Sequence, residues 1–152
     1  MTVSDQDIPV GGRFAAREHR FPVRVYFEDT DLSGIVYHAN YLRYMERARS
    51  DMLRLLDIDQ RTAFESGEGA YAVRGIDLAY LSPARLDDAL LVVSHLTKVR
   101  AAAVDIHHTV MRGEDILARA GVQVAFVAPS GRPRRQPASW LAAFEPMIWK
   151  GN

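Results

Sequence analysis

Residues 26–56 read YFEDTDLSGIVYHANYLRYMERARSDMLRLL, and the fold is decided by this run. Asp29 and Asp31 are separated by a single threonine, Ser33-Gly34 supplies a turn, and His38 leads into a long amphipathic pattern. Tyr41, Met45, Ala48, Met52 and Leu55 recur at alternating steps of four and three, and Leu42, Tyr44, Leu53 and Leu56 widen the stripe. Arg43, Arg47, Ser50, Asp51 and Arg54 fall mostly on the other side. The spacing predicts a helix of about seventeen residues from about Ala39, roughly 25 Å long at ~1.5 Å per residue. Its broad apolar arc is what a helix needs when a sheet curls around it. An acidic turn that feeds a helix N-terminus sets a carboxylate beside unpaired backbone N–H groups. Such a pair suits attack on a carbonyl carbon while the developing oxyanion is held.

Outward from this run, residues 21–28 (FPVRVYFE) read as a first strand, with Val23, Val25 and Phe27 on one face. Residues 1–20 lack the apolar core of a secretory signal and read as a loosely held arm. Beyond the helix, residues 57–69 are polar, with a short helical turn at 60–66. Strand signals then dominate, at 70–81, 89–99, 102–112 and 116–127. In the third of these, Val104, Ile106, His108 and Val110 alternate with polar positions; His107 and His108 therefore point to opposite faces and cannot share a metal. Arg112-Gly113-Glu114-Asp115 is a polar hairpin turn. The remaining segment, 138–152, carries Trp140 and Trp149 and reads as a tail with a short helix. One strand, one long helix and a run of antiparallel strands imply an α+β fold in a single domain over residues 21–137. Such a sheet has edges to cover, and joining two copies edge to edge would cover them.

Composition narrows the functions. Nineteen basic and nineteen acidic side chains cancel, which argues against a surface built for nucleic acid. The chain has no cysteine, so disulfides, thiolate metal sites and a cysteine nucleophile are excluded. No apolar run approaches the ~18 residues that span a bilayer. The reading is a soluble, cytoplasmic protein.

The run YFEDTDLSGIVYHANYLRYMERAR closely resembles the signature of hotdog-fold acyl-CoA thioesterases, above all the Tol–Pal-associated branch related to 4-hydroxybenzoyl-CoA thioesterase. The resemblance extends over about residues 20–137 through LSPARLDDALLV, LTKVRAA and GRPRRQP; Leu32-Ser33 departs from the small residues common at that point. It implies a curved antiparallel sheet wrapped around one long central helix, and dimers or dimers of dimers with active sites at the subunit interface. The implied substrate is an acyl-CoA, hydrolysed without metal or organic cofactor, with acyl carrier protein thioesters as a further option. The rivals are a non-catalytic binding module and a dehydratase on the same fold.

Asp31 matches the family's catalytic acid, as nucleophile or as general base for water. Asp29 reads as structural, holding the turn. The backbone N–H of His38, with that of Tyr37 or Ala39, is expected to polarise the thioester carbonyl, and the role of the His38 imidazole is open. Gly34 permits close approach or a positive φ, and Asn40 with Tyr41 fixes the helix entry, Asn40 also as a cap. Arg100, Arg132, Arg134 and Arg135 are candidates for the phosphates of CoA. Glu46 pairs most simply with Arg49 along the helix.

Overall fold

The structure, a computed structural model, describes residues 1–151. Six antiparallel strands form one sheet: β1 (Arg13–Ala15), β2 (Glu18–Arg24), β3 (Ala70–Tyr80), β4 (Ala89–Val99), β5 (Ala103–Arg112) and β6 (Asp115–Val127). Their order across the sheet is β1-β2-β4-β5-β6-β3. The longest helix is α1 (Asn40–Leu55, 16 residues), accompanied by α2 (Gln60–Glu65) and α3 (Ala138–Phe144). The four later strands fall within a residue of their expected bounds, because long β-branched runs between polar turns leave little freedom.

No glycine or proline interrupts α1, and its Leu, Met, Ala, Arg and Glu residues are strong helix formers. It ends where Asp57 turns into the left-handed region (φ 59°). There the Ile58 N–H returns to the Leu53 carbonyl at 2.9 Å and the Asp57 N–H to Arg54 at 3.1 Å, the double bond pattern of a Schellman stop. Tyr41, Tyr44, Met45, Ala48 and Met52 of α1 are buried against Val92, Val104, Ile106, Val110 and Val122 of the sheet. Leu55, assigned to the same stripe, is 45% exposed because the chain turns away one residue later.

The first strand differs from its expected position. Pairing with β4 begins at His19 and ends at Arg24, so the strand covers 18–24 and not 21–28. Past it, Phe27–Asp29 winds into a 3-10 turn; Val23 and Val25 stay buried, but Phe27 swings out to solvent. Residues 13–20, assigned to a loose arm, form the β1–β2 hairpin instead. That hairpin changes the helix face above it. Asp51, expected on the solvent side, is buried and accepts hydrogen bonds from His19 Nε2 at 2.7 Å and the Gly12 N–H at 3.0 Å. The helix-period pattern could not register a cover supplied by residues forty positions away. The tail is docked as well: Trp140 and Phe144 of α3 are buried, and Trp149 stacks on His95 with ring centroids 4.0 Å apart.

A polar row crosses the sheet beneath α1. His19, Ser94 and His108 are directly opposite one another on β2, β4 and β5, and each is fully buried. His108 Nδ1 lies 2.6 Å from Ser94 Oγ and its Nε2 3.2 Å from an Arg49 nitrogen. Since the guanidinium only donates, Nε2 is the acceptor and the ring is the neutral Nδ1–H tautomer. Burial, then the charge of Arg49, holds His108 well below its ordinary value of 6.5. His108 therefore stays neutral in the fold and takes a proton only once unfolded. Its contribution to stability is complete above that ordinary value and is lost as pH falls below it, by about 1.4 kcal/mol per pH unit per proton. His19, lowered by burial against the opposing pull of Asp51, acts in the same direction. Thermal melts between about pH 7.5 and 5.5 should show the midpoint falling, and His108→Gln should flatten the fall; a flat wild-type profile would contradict it.

Candidate active site

The acidic turn is built on Asp29. Its carboxylate is buried and accepts hydrogen bonds from the Tyr26 N–H at 2.8 Å and from Asn40 Nδ2 at 2.7 Å. Its carbonyl accepts the Tyr37 N–H at 2.9 Å. One residue thus ties the end of the first strand to the start of α1. Asn40 is the first helical residue and bonds Asp29, so it anchors the helix without capping it. Tyr41 anchors from the other side, its hydroxyl accepting the Ala84 N–H at 3.0 Å.

Residues 30–36 close as a small hairpin between these anchors. Thr30 pairs with Val36, and the Asp31 N–H reaches the Ile35 carbonyl at 2.9 Å. The reversal needs Gly34 at φ 81°, a left-handed conformation that disfavours a side chain. Asp31 stands at the base of this hairpin, exposed. Its Oδ1 accepts both the N–H of Ser33 at 2.8 Å and the Ser33 hydroxyl at 2.5 Å. Oδ2 has no bond to protein among the described residues and faces outward as a free acceptor. The Ser33 hydroxyl, then its N–H, and more weakly the charge of His38, hold the Asp31 carboxyl below the usual carboxylate range.

This shift has a sign that can be read. A base or nucleophile must be deprotonated, so activity falls only as pH drops through the lowered value. Ser33→Ala removes the largest cause and should move the acid limb of the kcat/KM profile upward, toward an ordinary aspartate; an unmoved limb would mean that Asp31 does not set it. Leu32-Ser33 was the departure from the family pattern in sequence, and Ser33 is where it acts.

The helix entry provides the complementary charge. Ala39 precedes α1 without a side-chain cap, and the N–H groups of His38 and Ala39 make no hydrogen bond among the described residues. The Tyr37 N–H, also considered for this role, is spent on Asp29 and drops out. Tyr80, at the end of β3, donates its hydroxyl to the His38 carbonyl at 2.6 Å and sets its ring edge-on to the imidazole at 6.4 Å. Tyr37 packs on the other side of that ring at 4.5 Å. Nothing in the sequence singled out Tyr80: it is one aromatic in a strand, brought to the site by the antiparallel pairing of β3 with β6.

The arginines are elsewhere. Arg100 is paired with Asp105 at 2.7 Å, and Arg134 donates to the Gly67 and Glu68 carbonyls at 3.2 and 2.6 Å. Arg132 and Arg135 are exposed in the segment that pairs back onto Val127. Val127 is opposite Ala70 at one end of β3, whereas Tyr80 and the acidic turn are at the other. At ~3.3 Å per residue the two ends are roughly 30 Å apart. Within one chain these arginines do not reach Asp31.

Residues 25–145 match the model of the thioesterase-like superfamily. The chain belongs to this family. It is 43% identical over 107 residues to the acyl-CoA thioesterase YbgC of Haemophilus influenzae, covering 70% of this chain and 79% of that one. It is 40% identical over 128 residues to the acyl-CoA thioester hydrolase YbgC of Escherichia coli, covering 83% and 95%. The crystal structure of a probable thioesterase from Bartonella henselae superimposes with a TM-score of 0.75 at 33% identity, covering 79% of this chain and 99% of that one. The six-stranded sheet and α1 are thus the hotdog arrangement of a thioesterase, and the acidic turn and helix entry lie inside the matched region.

Proposed function

We propose that this thioesterase hydrolyses acyl-CoA thioesters to a free carboxylic acid and CoA at Asp31. The observation that carries the reading is a carboxylate with one unengaged oxygen on the turn that leads to a helix, just ahead of which the His38 and Ala39 N–H groups are free among the described residues. The thioester carbonyl oxygen takes hydrogen bonds from the His38 and Ala39 amides, where the helix end favours negative charge. Asp31 Oδ2 either attacks the carbonyl carbon, giving a mixed anhydride that water cleaves, or takes the proton of a water that attacks. Both routes expel the CoA thiolate as the tetrahedral oxyanion collapses. Gly34 keeps the turn free of a side chain where the acyl group arrives.

The same proposal includes a homodimer or homotetramer. Asp31 is open to solvent in a single chain, and β3 is an eleven-residue edge strand with both faces largely exposed. A second copy along β3 would cover that edge and wall the site. Arg100, Arg132 and Arg134 then serve as phosphate ligands only if the neighbouring copy presents them, since their own chain holds them far from Asp31. Membership of the Tol–Pal-associated branch and a cytoplasmic location belong to this reading too, resting on the E-D-T-D-x-x-G-x-V-Y-H-A-N-Y motif and on CoA thioesters as substrates.

A thiol-release assay over short, long and aromatic acyl-CoAs, with acyl carrier protein thioesters alongside, tests the function. Release of CoA with equimolar acid is expected. Tight binding without release would point to a binding module, and hydration of enoyl-CoA to a dehydratase.

A further inference from the structure

Arg49 is a buried cation without a counter-ion. Among the described residues, Arg49 is 9% exposed, has no carboxylate oxygen within ion-pair distance, and makes its one hydrogen bond to the neutral His108. Two carboxylates are near. Asp51 is engaged by His19 and Gly12, and Glu46, the partner expected from helical spacing, is exposed to solvent and forms no ion pair. A guanidinium carries five N–H donors, so most of these are unused. Leaving a buried charge unpaired is costly, and a desolvated charged group that lines a cleft is a candidate for ligand binding.

Arg49 lines a small pocket, about 70 Å³ in volume, that opens to solvent. Glu46 lines it as well, and the rest of the wall is largely apolar: Leu53, Val73, Val104, Ile106 and Phe144. The pocket connects with the acidic turn along β3. Tyr71, Val73, Ile76, Leu78 and Tyr80 are opposite Phe126, Val124, Val122, Ala120 and Ala118, all of which are buried, so these five β3 residues share the inner face. Yet Val73, Ile76 and Tyr80 are 46%, 44% and 48% exposed. An uncovered apolar track therefore runs from Tyr80, bonded to His38, to Val73 in the pocket wall. Arg49 is nine residues beyond Asn40, about 14 Å along the helix at ~1.5 Å per residue.

We propose that Arg49 is a specificity-determining residue: the apolar track takes the acyl chain of the thioester, and Arg49 receives a carboxylate at the chain's far end. The preferred substrates are accordingly CoA monothioesters of medium-length dicarboxylic acids. The proposal rests on Asp31 being the hydrolytic centre. The incoming carboxylate gives the guanidinium an anionic partner, through charge-assisted hydrogen bonds in a largely apolar pocket.

The test compares octanedioyl-CoA with octanoyl-CoA on the wild type and on Arg49→Met, which fills the same space without charge. The wild type should show the higher kcat/KM for octanedioyl-CoA by about tenfold or more, and the ratio of the two substrates' kcat/KM should fall to about one in R49M. Equal or better use of octanoyl-CoA by the wild type, or a preference that survives in R49M, overturns the proposal. Calorimetric titration of the wild type with octanedioic acid monoamide and with octanamide, which differ only in the far-end carboxylate, gives a readout independent of turnover and of the variant's folding. Tighter binding of the monoamide supports the assignment, and equal binding defeats it. Should neither thioester be cleaved, the Asp31 reading fails, and the titration still decides Arg49.

Discussion

Asp31→Asn loses acyl-CoA hydrolysis by about 10²–10⁴-fold in kcat while remaining folded, with its thermal midpoint unchanged. The two halves of this result have separate causes. Asparagine keeps an Oδ1 acceptor for the Ser33 N–H and hydroxyl, so the bonds that shape the turn survive. The side chain is exposed and supports nothing behind it. What the substitution removes is the basic, nucleophilic oxygen that faces outward. Binding of a non-hydrolysable thioether analogue should stay close to wild type, since the apolar track and the helix-entry amides are untouched. Near-normal turnover across the acyl-CoA panel by folded D31N would remove Asp31 from the chemistry.

Asp29→Ala gives the opposite pattern: loss of about 2–5 kcal/mol of stability, followed by whatever activity the surviving fold retains. Truncation strands two donors in a buried position, the Tyr26 N–H and Asn40 Nδ2, each at about 1–3 kcal/mol. Asp29→Asn, which retains one acceptor oxygen, should fall between alanine and wild type. Urea unfolding monitored by tryptophan fluorescence measures all three. If D29A is as stable as wild type, the carboxylate is not the tie between strand and helix. The two aspartates are chemically identical and separated by one residue, so the difference lies in surroundings alone: Asp29 is buried in the protein, and Asp31 is open to solvent.

Much of this site was legible in residues 26–56. Periodicity located α1, the Ser-Gly pair located the turn, and their adjacency placed a carboxylate at a helix entry. The family motif then separated Asp31 from Asp29. Three features were not legible, each because it depends on a partner far away in the chain. The Tyr37 amide looked as available as its neighbours until the Asp29 carbonyl was seen to occupy it. Tyr80 reached His38 only through the register of β3 on β6. Asp51 sat on a face that helical spacing called polar, yet the β1–β2 hairpin covers it, and Arg49, read only as the helical partner of Glu46, is enclosed by the strands β3, β5 and β6.

The arginines show the same limit from the other side. A guanidinium-rich stretch suggests phosphate, but sequence carries no information about distance, and the sheet puts those residues about 30 Å from Asp31 at ~3.3 Å per residue. The sequence by itself determined α1, the four later strands and their order, because those follow from local periodicity and turn chemistry, and its contiguous motif marked Asp31 as the acid proposed for the chemistry. Tertiary structure alone decided which amides are free, which cation is buried without a partner and which edge is left open. Those properties are set by packing between segments distant in the chain, where burial and hydrogen-bond competition act.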